Sequence, residues 1–245
     1  VILVALFIWR QSKLETPLLN FSVFKNTQFT IGILIMAVTM VSMIGSETVL
    51  PMFVQNLLNR TPLDSGLILL PGAIVMAIMS FASGGLYEKF GAKPLALIGM
   101  MIVIITTGYF VIMDENTSSV MLATVYGIRM IGIALGLMPV MTHTMNQLTY
   151  EMNAHGSSMT NTVQQIAGSI GTAILITILT QASKHYSPDM SNYDGMKRSE
   201  MLVQIKIDTL LHGYHAGFLF AVIITVVSFL CSFMLKKNTK STEEQ

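Results

Sequence analysis

Six long apolar segments alternate with shorter polar stretches along the chain, at 29–54, 65–87, 94–113, 120–142, 162–182 and 213–235. Each reaches the roughly 20 residues that cross about 30 Å of hydrocarbon as a helix. They show almost none of the polar stripe that a helix on the surface of a soluble protein carries. Because a helix satisfies its own backbone hydrogen bonds in lipid, the pattern predicts six membrane-spanning helices rather than buried helices of a large soluble protein.

The chain opens on a seventh apolar stretch, residues 1–9, which is too short to span a bilayer. No charged region precedes it and no small-residue cleavage site follows it, as a signal peptide would require. We therefore expect residues 1–9 to be the end of a truncated transmembrane helix. Residues 10–28 would then form a cytoplasmic linker, and residues 236–245 a cytoplasmic tail.

The composition agrees with a protein that lies in lipid. Apolar residues make up 52% of the chain and charged residues 11%, against roughly a quarter charged in soluble domains. The formal net charge of +1 provides no basic field for nucleic acid, so no nucleic-acid partner is expected. The single cysteine, Cys231, excludes an internal disulfide.

The basic residues of the connections are distributed unequally between the two sides of the membrane. Short connections make consecutive spans alternate in direction. If the tail is cytoplasmic, the same side holds Arg10, Lys13, Lys25, Lys89, Lys93, Lys236, Lys237 and Lys240. The opposite side holds Arg60, Lys184, Lys197, Arg198 and Lys206. The positive-inside rule therefore favours a multi-pass membrane protein with a cytoplasmic carboxyl terminus.

Two of the predicted connections carry residues of interest. In the stretch 183–212, Met201, Leu202, Ile205 and Thr209 recur at helical spacing, which fits a short helix on the membrane surface and fits a solvated loop equally well. In the stretch 143–161, His143 and His155 are expected to be solvated loop histidines.

Glu47 and Arg129 are the strongest chemical signals, because each is a charge inside an apolar span. Such a charge costs about 2.5–3.5 kcal/mol at mid-membrane even on lenient scales, so it marks a functional site or needs a partner. With a rise of about 1.5 Å per residue, the two lie at similar depth below the same membrane face. They fit a proton-titrating pair, a selector of substrate charge, or a fixed structural ion pair. Glu47 reaching outward to water is a further alternative.

The sequence contains no phosphate loop, dinucleotide fingerprint, nucleophile elbow or zinc helix. His212 and His215 have helical spacing, but no acid or cysteine completes a metal set. We therefore expect no enzyme activity, no cofactor and no metal, and an ion gradient as the energy source.

Polar and small residues inside the spans are weaker candidates. Substrate contact or helix bridging would explain Gln55, Asn161, Gln164 and Gln165. Close helix packing or conformational pivots would explain Pro51, Gly132, Gly136, Pro139, Gly168 and Gly171. The two prolines fall at similar depth in the first and fourth spans, which favours an inverted repeat of three plus three helices.

A tight junction joins the second and third spans and contains Gly85, Glu88, Lys89, Gly91 and Lys93. Its glycines suit a turn, and Glu88 suits the amino end of the following helix. It resembles the Gly-x-x-x-Asp-Arg-x-Gly-Arg-Lys loop of the major facilitator superfamily. Glu88 replaces the usual aspartate, Lys89 and Gly91 match, and Ala92 departs from the pattern. The resemblance implies a cytoplasmic latch formed by the acid and the base.

Further motifs resemble one branch of that superfamily, the fourteen-helix drug:proton antiporters of the EmrB/QacA type. They are Trp9-Arg10-Gln11, Pro17-Leu18-Leu19, Ser65-Gly66-Leu67, Leu70-Pro71-Gly72 and Gly168-Ser169-Ile170-Gly171. The resemblance implies an all-α integral membrane fold, namely the C-terminal six-helix bundle of the superfamily plus the end of a preceding helix. In that fold the first and fourth helices of the bundle line the central cavity, and these are the helices that carry Glu47 and Arg129.

The function implied by the resemblance is proton-coupled efflux of amphipathic drugs or toxic compounds by alternating access. The implied partners are a small-molecule substrate, protons, the lipid bilayer and the N-terminal transmembrane bundle of the same protein. Export of a metabolite, an amino acid or a lipid is an alternative. A membrane receptor or assembly partner without transport activity is another.

Overall fold

A computed structural model describes residues 21–188, 190–193, 195 and 197–236. The predictions made for residues 1–20 and 237–245, which include the truncated first helix and most of the tail, lie outside this part of the chain.

Six α-helices dominate the described residues. They are α1 (Thr27–Asn56), α2 (Pro62–Phe90), α3 (Ala92–Val111), α4 (Ser119–Met145), α5 (Tyr150–His185) and α6 (Arg198–Ser232). All six are long and apolar enough to cross a membrane, and no strand occurs among the described residues. The predicted fold class, an all-α integral membrane bundle, is confirmed.

Local capping explains where two of these helices begin. The Asn26 side chain accepts hydrogen bonds from the backbone N–H groups of Gln28 and Phe29 at the start of α1. At the start of α2, Thr61 and Asp64 form a reciprocal capping box around Pro62. Both devices satisfy N–H groups that have no partner inside the helix, and they are the residue types that do so best.

The last two helices are longer than their apolar segments. α5 begins at Tyr150, and α6 begins at Arg198. Met201, Leu202 and Ile205 therefore belong to the first turns of α6, so neither a separate surface helix nor a loop forms there. Residues 198–212 contain no glycine or proline, and a helix already nucleated in the apolar segment extends through such a run at little cost.

The histidine prediction was wrong for His143. α4 continues to Met145, and His143 in its last turns is only 2% exposed. His155 lies inside α5 and is partly buried. Sequence hydropathy ends a span where polar residues begin, whereas α4 continues past that point and tertiary packing buries its His143.

The contacts of α1, which begins the first three helices, are equivalent to those of α4, which begins the last three. α1 packs against α5 and α6, while α4 packs against α2 and α3, and α1 also contacts α4. Exchanging the two triplets converts the α1–α5 contact into the α4–α2 contact and the α1–α6 contact into the α4–α3 contact. This pattern is the one expected of two inverted triplets.

The helices differ in how much of their surface this packing covers. In the most apolar stretch of α4, 61% of the residues are buried, against 11% in that of α2. α4 therefore forms the centre of the bundle, and α2 presents most of its surface outward.

The connections between the helices lie at two opposite ends of the bundle. At the Arg60 end, α1 meets α2, α3 meets α4 and α5 meets α6. At the Lys93 end, α2 meets α3 and α4 meets α5.

Close helix contacts depend on glycine: a methyl group added to Gly99 of α3 would lie 2.5 Å from the carbonyl oxygen of Gly132 in α4. The two backbones approach this closely only because neither residue has a side chain.

Candidate functional site

Glu47 and Arg129 lie on the two helices that contact each other at the centre of the bundle, α1 and α4. Glu47 is nine residues from the end of α1 and Arg129 is ten from the start of α4, so both lie about 14–15 Å from the Arg60 end. They interact electrostatically. The structure therefore brings the two sequence candidates together at a common depth.

Arg129 is fully enclosed by protein. Its side chain is 0% exposed, and it is the largest fully buried side chain among the described residues. Its Nε donates a hydrogen bond to Oγ1 of Thr107 in α3, with a distance of 3.3 Å. Both terminal nitrogens are buried without a hydrogen-bond partner. A guanidinium in apolar surroundings thus keeps most of its donors unused, which is costly unless another partner engages them.

Glu47 is only partly buried, in contrast to Arg129. The terminal nitrogens of Arg129 make no hydrogen bond to it, so the attraction acts through space rather than through a closed ion pair. An ionised carboxylate only accepts hydrogen bonds, and the free guanidinium nitrogens only donate them. Glu47 can therefore still bind a proton, or the two groups can bind a charged ligand between them.

Tyr126 is a third member of this cluster. It precedes Arg129 by one helical turn on α4, is 8% exposed, and interacts electrostatically with both Glu47 and Arg129. Its ring lies directly over Gly72 of α2, so that any side chain at position 72 would collide with it. α2 therefore fixes the position of the phenol next to the charged pair.

The predicted latch residues lie at the Lys93 end, and only Gly91 separates α2 from α3. Gly91 has φ 79°, a backbone conformation that glycine adopts without strain. Gly85 lies inside α2 rather than in the turn. No side chain caps α3, so the expectation that Glu88 accepts from its first N–H groups was wrong. With a one-residue connection, Glu88 remains in the last turn of α2.

The two lysines of the latch make different contacts. Lys89 and Glu88 are exposed, and the Lys89 ammonium lies 5.3 Å from the centre of the Phe90 ring. Lys93 Nζ donates to the Phe233 carbonyl at 2.6 Å, just after the end of α6. Lys93 therefore binds the carboxyl end of α6 within this bundle, whereas Glu88 and Lys89 are accessible to a partner outside it.

The four cavity candidates are not gathered in one place. Gln55 lies at the Arg60 end of α1, whereas the other three lie toward the Lys93 end of α5. Gln164 donates to the Met36 sulfur at 3.3 Å and thereby links α5 to α1. Asn161 and Gln165 are exposed. Gln164 therefore bridges two helices, whereas the exposed amides of Asn161 and Gln165 face away from the bundle interior.

The glycine candidates lie at helix contacts. A methyl group on Gly171 or Gly168 of α5 would meet Val41 or Ile44 of α1. Gly132 and Gly136 of α4 contact α3 in the same way. Pro51 and Pro139 lie within α1 and α4, respectively. These geometries account for the glycines through packing.

Residues 3–172 match the Major Facilitator Superfamily. The chain belongs to this family. Members of the superfamily are transporters rather than enzymes, and the chain is accordingly part of a multi-pass membrane transporter family.

Curated relatives extend the comparison beyond the matched region. The chain is 36% identical to the uncharacterized MFS-type transporter YcnB of Bacillus subtilis over all of its own length and 49% of that protein. It is 31% identical to the lincomycin resistance protein LmrB of Listeria innocua over 96% of the chain and 48% of that protein. It is 26% identical to the multidrug resistance protein Stp of Mycobacterium tuberculosis, over 87% and 40% respectively. The chain thus spans about half the length of the relatives it matches.

The sequence analysis did not identify Tyr126 and Thr107 as members of the cluster. Tyr126 shares a helix face with Arg129 at i, i+3 spacing, a signal that was available in the sequence. Thr107 gave no such signal, because it lies on another helix and a lone threonine in a span is unremarkable.

A hydroxyl ladder between α1 and α6 was also missed. Thr39 and Ser228 are joined by a hydrogen bond of 2.7 Å, as are Ser42 and Thr225. Thr39 and Ser42 lie three positions apart in α1, as do Thr225 and Ser228 in α6, so the sequence indicates a polar stripe on each helix. It does not show that the two stripes face each other.

Among the described residues, no group of three or more histidine, cysteine, aspartate or glutamate side chains has a metal-binding arrangement.

Proposed function

We propose that the protein carrying this chain is a proton-coupled exporter of amphipathic drugs or toxic compounds, in the fourteen-helix branch of the superfamily. The observation that carries the proposal is the Arg129 guanidinium, which is fully buried and has two unused nitrogens, next to Glu47 at the same depth. A charge held in this way within a membrane bundle marks a functional site by default. The names of the relatives LmrB and Stp, which refer to lincomycin and multidrug resistance, support the choice of cargo.

In the proposed mechanism, this six-helix bundle moves against an N-terminal bundle of the same protein around a central cavity. Rocking of two such units around a fixed midplane site gives alternating access. Glu47 takes up a proton or a substrate cation from the Arg60 end. Arg129, held by Thr107, sets the affinity of Glu47 for that cation through its positive charge.

We further propose that the protein lies in the cell membrane with its carboxyl terminus in the cytoplasm. The Lys93 end then faces the cytoplasm, and Glu88 and Lys89 form a latch with the N-terminal bundle. Their exposure supports this role, since a latch partner outside the present bundle has access to them.

Efflux in everted vesicles tests the role of Glu47. The full natural-length protein is expressed as wild type, as Glu47→Gln, and as the control Glu151→Gln, which removes an exposed acid from the first turn of α5. We expect Glu47→Gln to lose substrate uptake driven by a pH gradient, because an amide cannot carry a proton. Glu151→Gln should behave as wild type. Undiminished coupling in Glu47→Gln would refute the proposal.

The cargo is tested in the same vesicles. A panel containing lincomycin, cationic amphipathic dyes and amino acids distinguishes drug efflux from metabolite export. We expect the amphipathic compounds to be moved and the amino acids not to be.

A further inference from the structure

Two adjoining cavities at the Arg60 end are used by neither the charged cluster nor the latch. The larger has a volume of about 550 Å³ and lies between α2 and α4. The smaller has a volume of about 370 Å³ and lies against the connection from α3 to α4. They share Arg60, Ser119 and Val120. We call the combined space the Arg60 cleft; it has one polar and one apolar compartment.

The larger compartment is a predominantly apolar groove between two helices. Its walls include Leu67, Ile68, Pro71, Val120 and Ala123. Pro71 lies nine residues into α2, so the groove extends about 14 Å from the Arg60 end toward the middle of the bundle. Such a groove suits a hydrocarbon chain that enters from the membrane surface.

The smaller compartment holds opposite charges with unused bonding capacity. The Arg60 guanidinium is exposed and makes no hydrogen bond to the described residues, although it attracts Asp64 electrostatically. The Asp64 carboxylate is itself engaged by Thr61 in the capping box. Glu115 has its Oε2 buried without a hydrogen-bond partner. One donor group and one acceptor group are therefore available in the same compartment.

This distribution of charge and apolar surface selects an amphiphile with a zwitterionic head. Arg60 suits a phosphate, which accepts hydrogen bonds from a guanidinium with favourable geometry. Glu115 suits a primary ammonium, which donates to a carboxylate. A quaternary ammonium has no hydrogen to donate, and a purely anionic head would place its extra charge against Glu115 and Asp64.

We propose that the Arg60 cleft binds a phospholipid of the surrounding bilayer with a phosphate and a primary amine in its head group, that is, a phosphatidylethanolamine. The phosphate accepts from Arg60, the ammonium donates to Glu115, and one acyl chain fills the groove between α2 and α4. The site is separate from Glu47 and Arg129 and does not depend on the proposed direction or cargo of transport.

Lipid binding to the full natural-length protein tests the proposal by native mass spectrometry in detergent. Phosphatidylethanolamine, phosphatidylcholine and phosphatidylglycerol with identical acyl chains are titrated separately. We expect phosphatidylethanolamine to bind most tightly. Arg60→Gln and Glu115→Gln should each weaken its binding about tenfold, because each removes one charge-assisted hydrogen bond.

Matched variants separate head-group recognition from groove occupancy. Ala123→Phe fills the groove and should weaken binding of all three lipids alike. The controls are Arg198→Gln, an exposed arginine at the same end, and Ala173→Phe, an exposed alanine of α5 outside the cleft. Both controls should bind as wild type, and thermal unfolding verifies that every variant is folded.

Four results would overturn the proposal. Arg60→Gln and Glu115→Gln could bind phosphatidylethanolamine as tightly as Arg198→Gln does. All three lipids could bind wild type equally. A transported compound could displace the lipid competitively and only when Arg60 is present, which would assign the cleft to the transport path. No lipid could bind in the cleft at all, which would assign it to contact with the other bundle.

Discussion

Arg129 of α4 donates through Nε to Thr107 of α3, and no other hydrogen bond to the guanidinium occurs within the described residues. Both side chains are completely buried. Thr107 is therefore the side chain that holds Arg129, the only fully buried arginine among the residues the structure describes. A threonine without chemistry of its own acquires a positioning role through this single contact.

Replacement of Thr107 tests this positioning role. Thr107→Val keeps the volume but removes the acceptor, so the Arg129 guanidinium loses its protein hydrogen bond at a cost of about 1–3 kcal/mol. We expect a lower unfolding temperature and an altered pH profile of efflux. Thr107→Ser retains the hydroxyl and should restore the pH profile. A normal profile in Thr107→Val would exclude a positioning role.

Replacement of Arg129 separates stability from function. Arg129→Met removes a buried charge that is incompletely paired, and apolar residues of similar volume at such sites are often neutral or stabilising by about 1–4 kcal/mol. We therefore expect an unchanged or higher unfolding temperature together with loss of pH-driven efflux. Efflux at the wild-type rate in Arg129→Met would contradict a role in transport.

The α3–α4 contact at Gly99 is sensitive to a single methyl group. In Gly99→Ala the new methyl would lie within 2.5 Å of the Gly132 carbonyl oxygen, so the helices must separate. Overpacking of this kind costs about 1–3 kcal/mol. Gly108→Ala is the matched control, because Gly108 lies on the same helix and a methyl there meets nothing within 4 Å. Unfolding in mixed micelles should be destabilised only in Gly99→Ala.

The hydroxyl ladder between α1 and α6 should contribute a measurable coupling energy. A double-mutant cycle of Ser42→Ala and Thr225→Ala isolates the hydrogen bond between these side chains. Interhelical hydrogen bonds in membrane proteins contribute about 0.6 kcal/mol on average, with a maximum near 1.7. Thr180→Ala is the control, since that exposed hydroxyl donates only to Ile176 of its own helix. Additivity within error would exclude a stabilising ladder.

Tyr193 and Asp208 form a pH-dependent contact outside the membrane spans. The Tyr193 hydroxyl donates to the Asp208 carboxylate at 2.6 Å, and this bond raises the pKa of Tyr193 above its usual value. Because the folded-state pKa is raised, the stabilisation is complete below the unfolded-state pKa, and it is lost as pH rises through the higher folded-state pKa. Absorbance of tyrosinate should therefore increase later in wild type than in an unfolded reference. Tyr193→Phe should remove that late component and lower stability at neutral pH; an unchanged titration would refute the assignment.

Hydropathy and charge in the sequence were sufficient to identify the bundle and the depth of its charges. Six apolar segments predicted six helices, because a segment in lipid must satisfy its backbone groups internally. Glu47 and Arg129 could be placed at one depth from the helical rise alone. Helix ends were less accessible, as α5, α6 and His143 illustrate, because a nucleated helix continues into polar turns that hydropathy assigns to a connection.

The sequence by itself therefore determined the membrane class, the six long helices of the described residues and the two charges within the spans, since these follow from local composition and period. Only the tertiary structure decided that Thr107 supports Arg129, that Tyr126 packs over Gly72, that Ser42 meets Thr225, and that Arg60 and Glu115 share one cleft. Those relationships join different helices. They depend on the rotation and approach of whole helices, which many side-chain contacts establish together and no local pattern encodes.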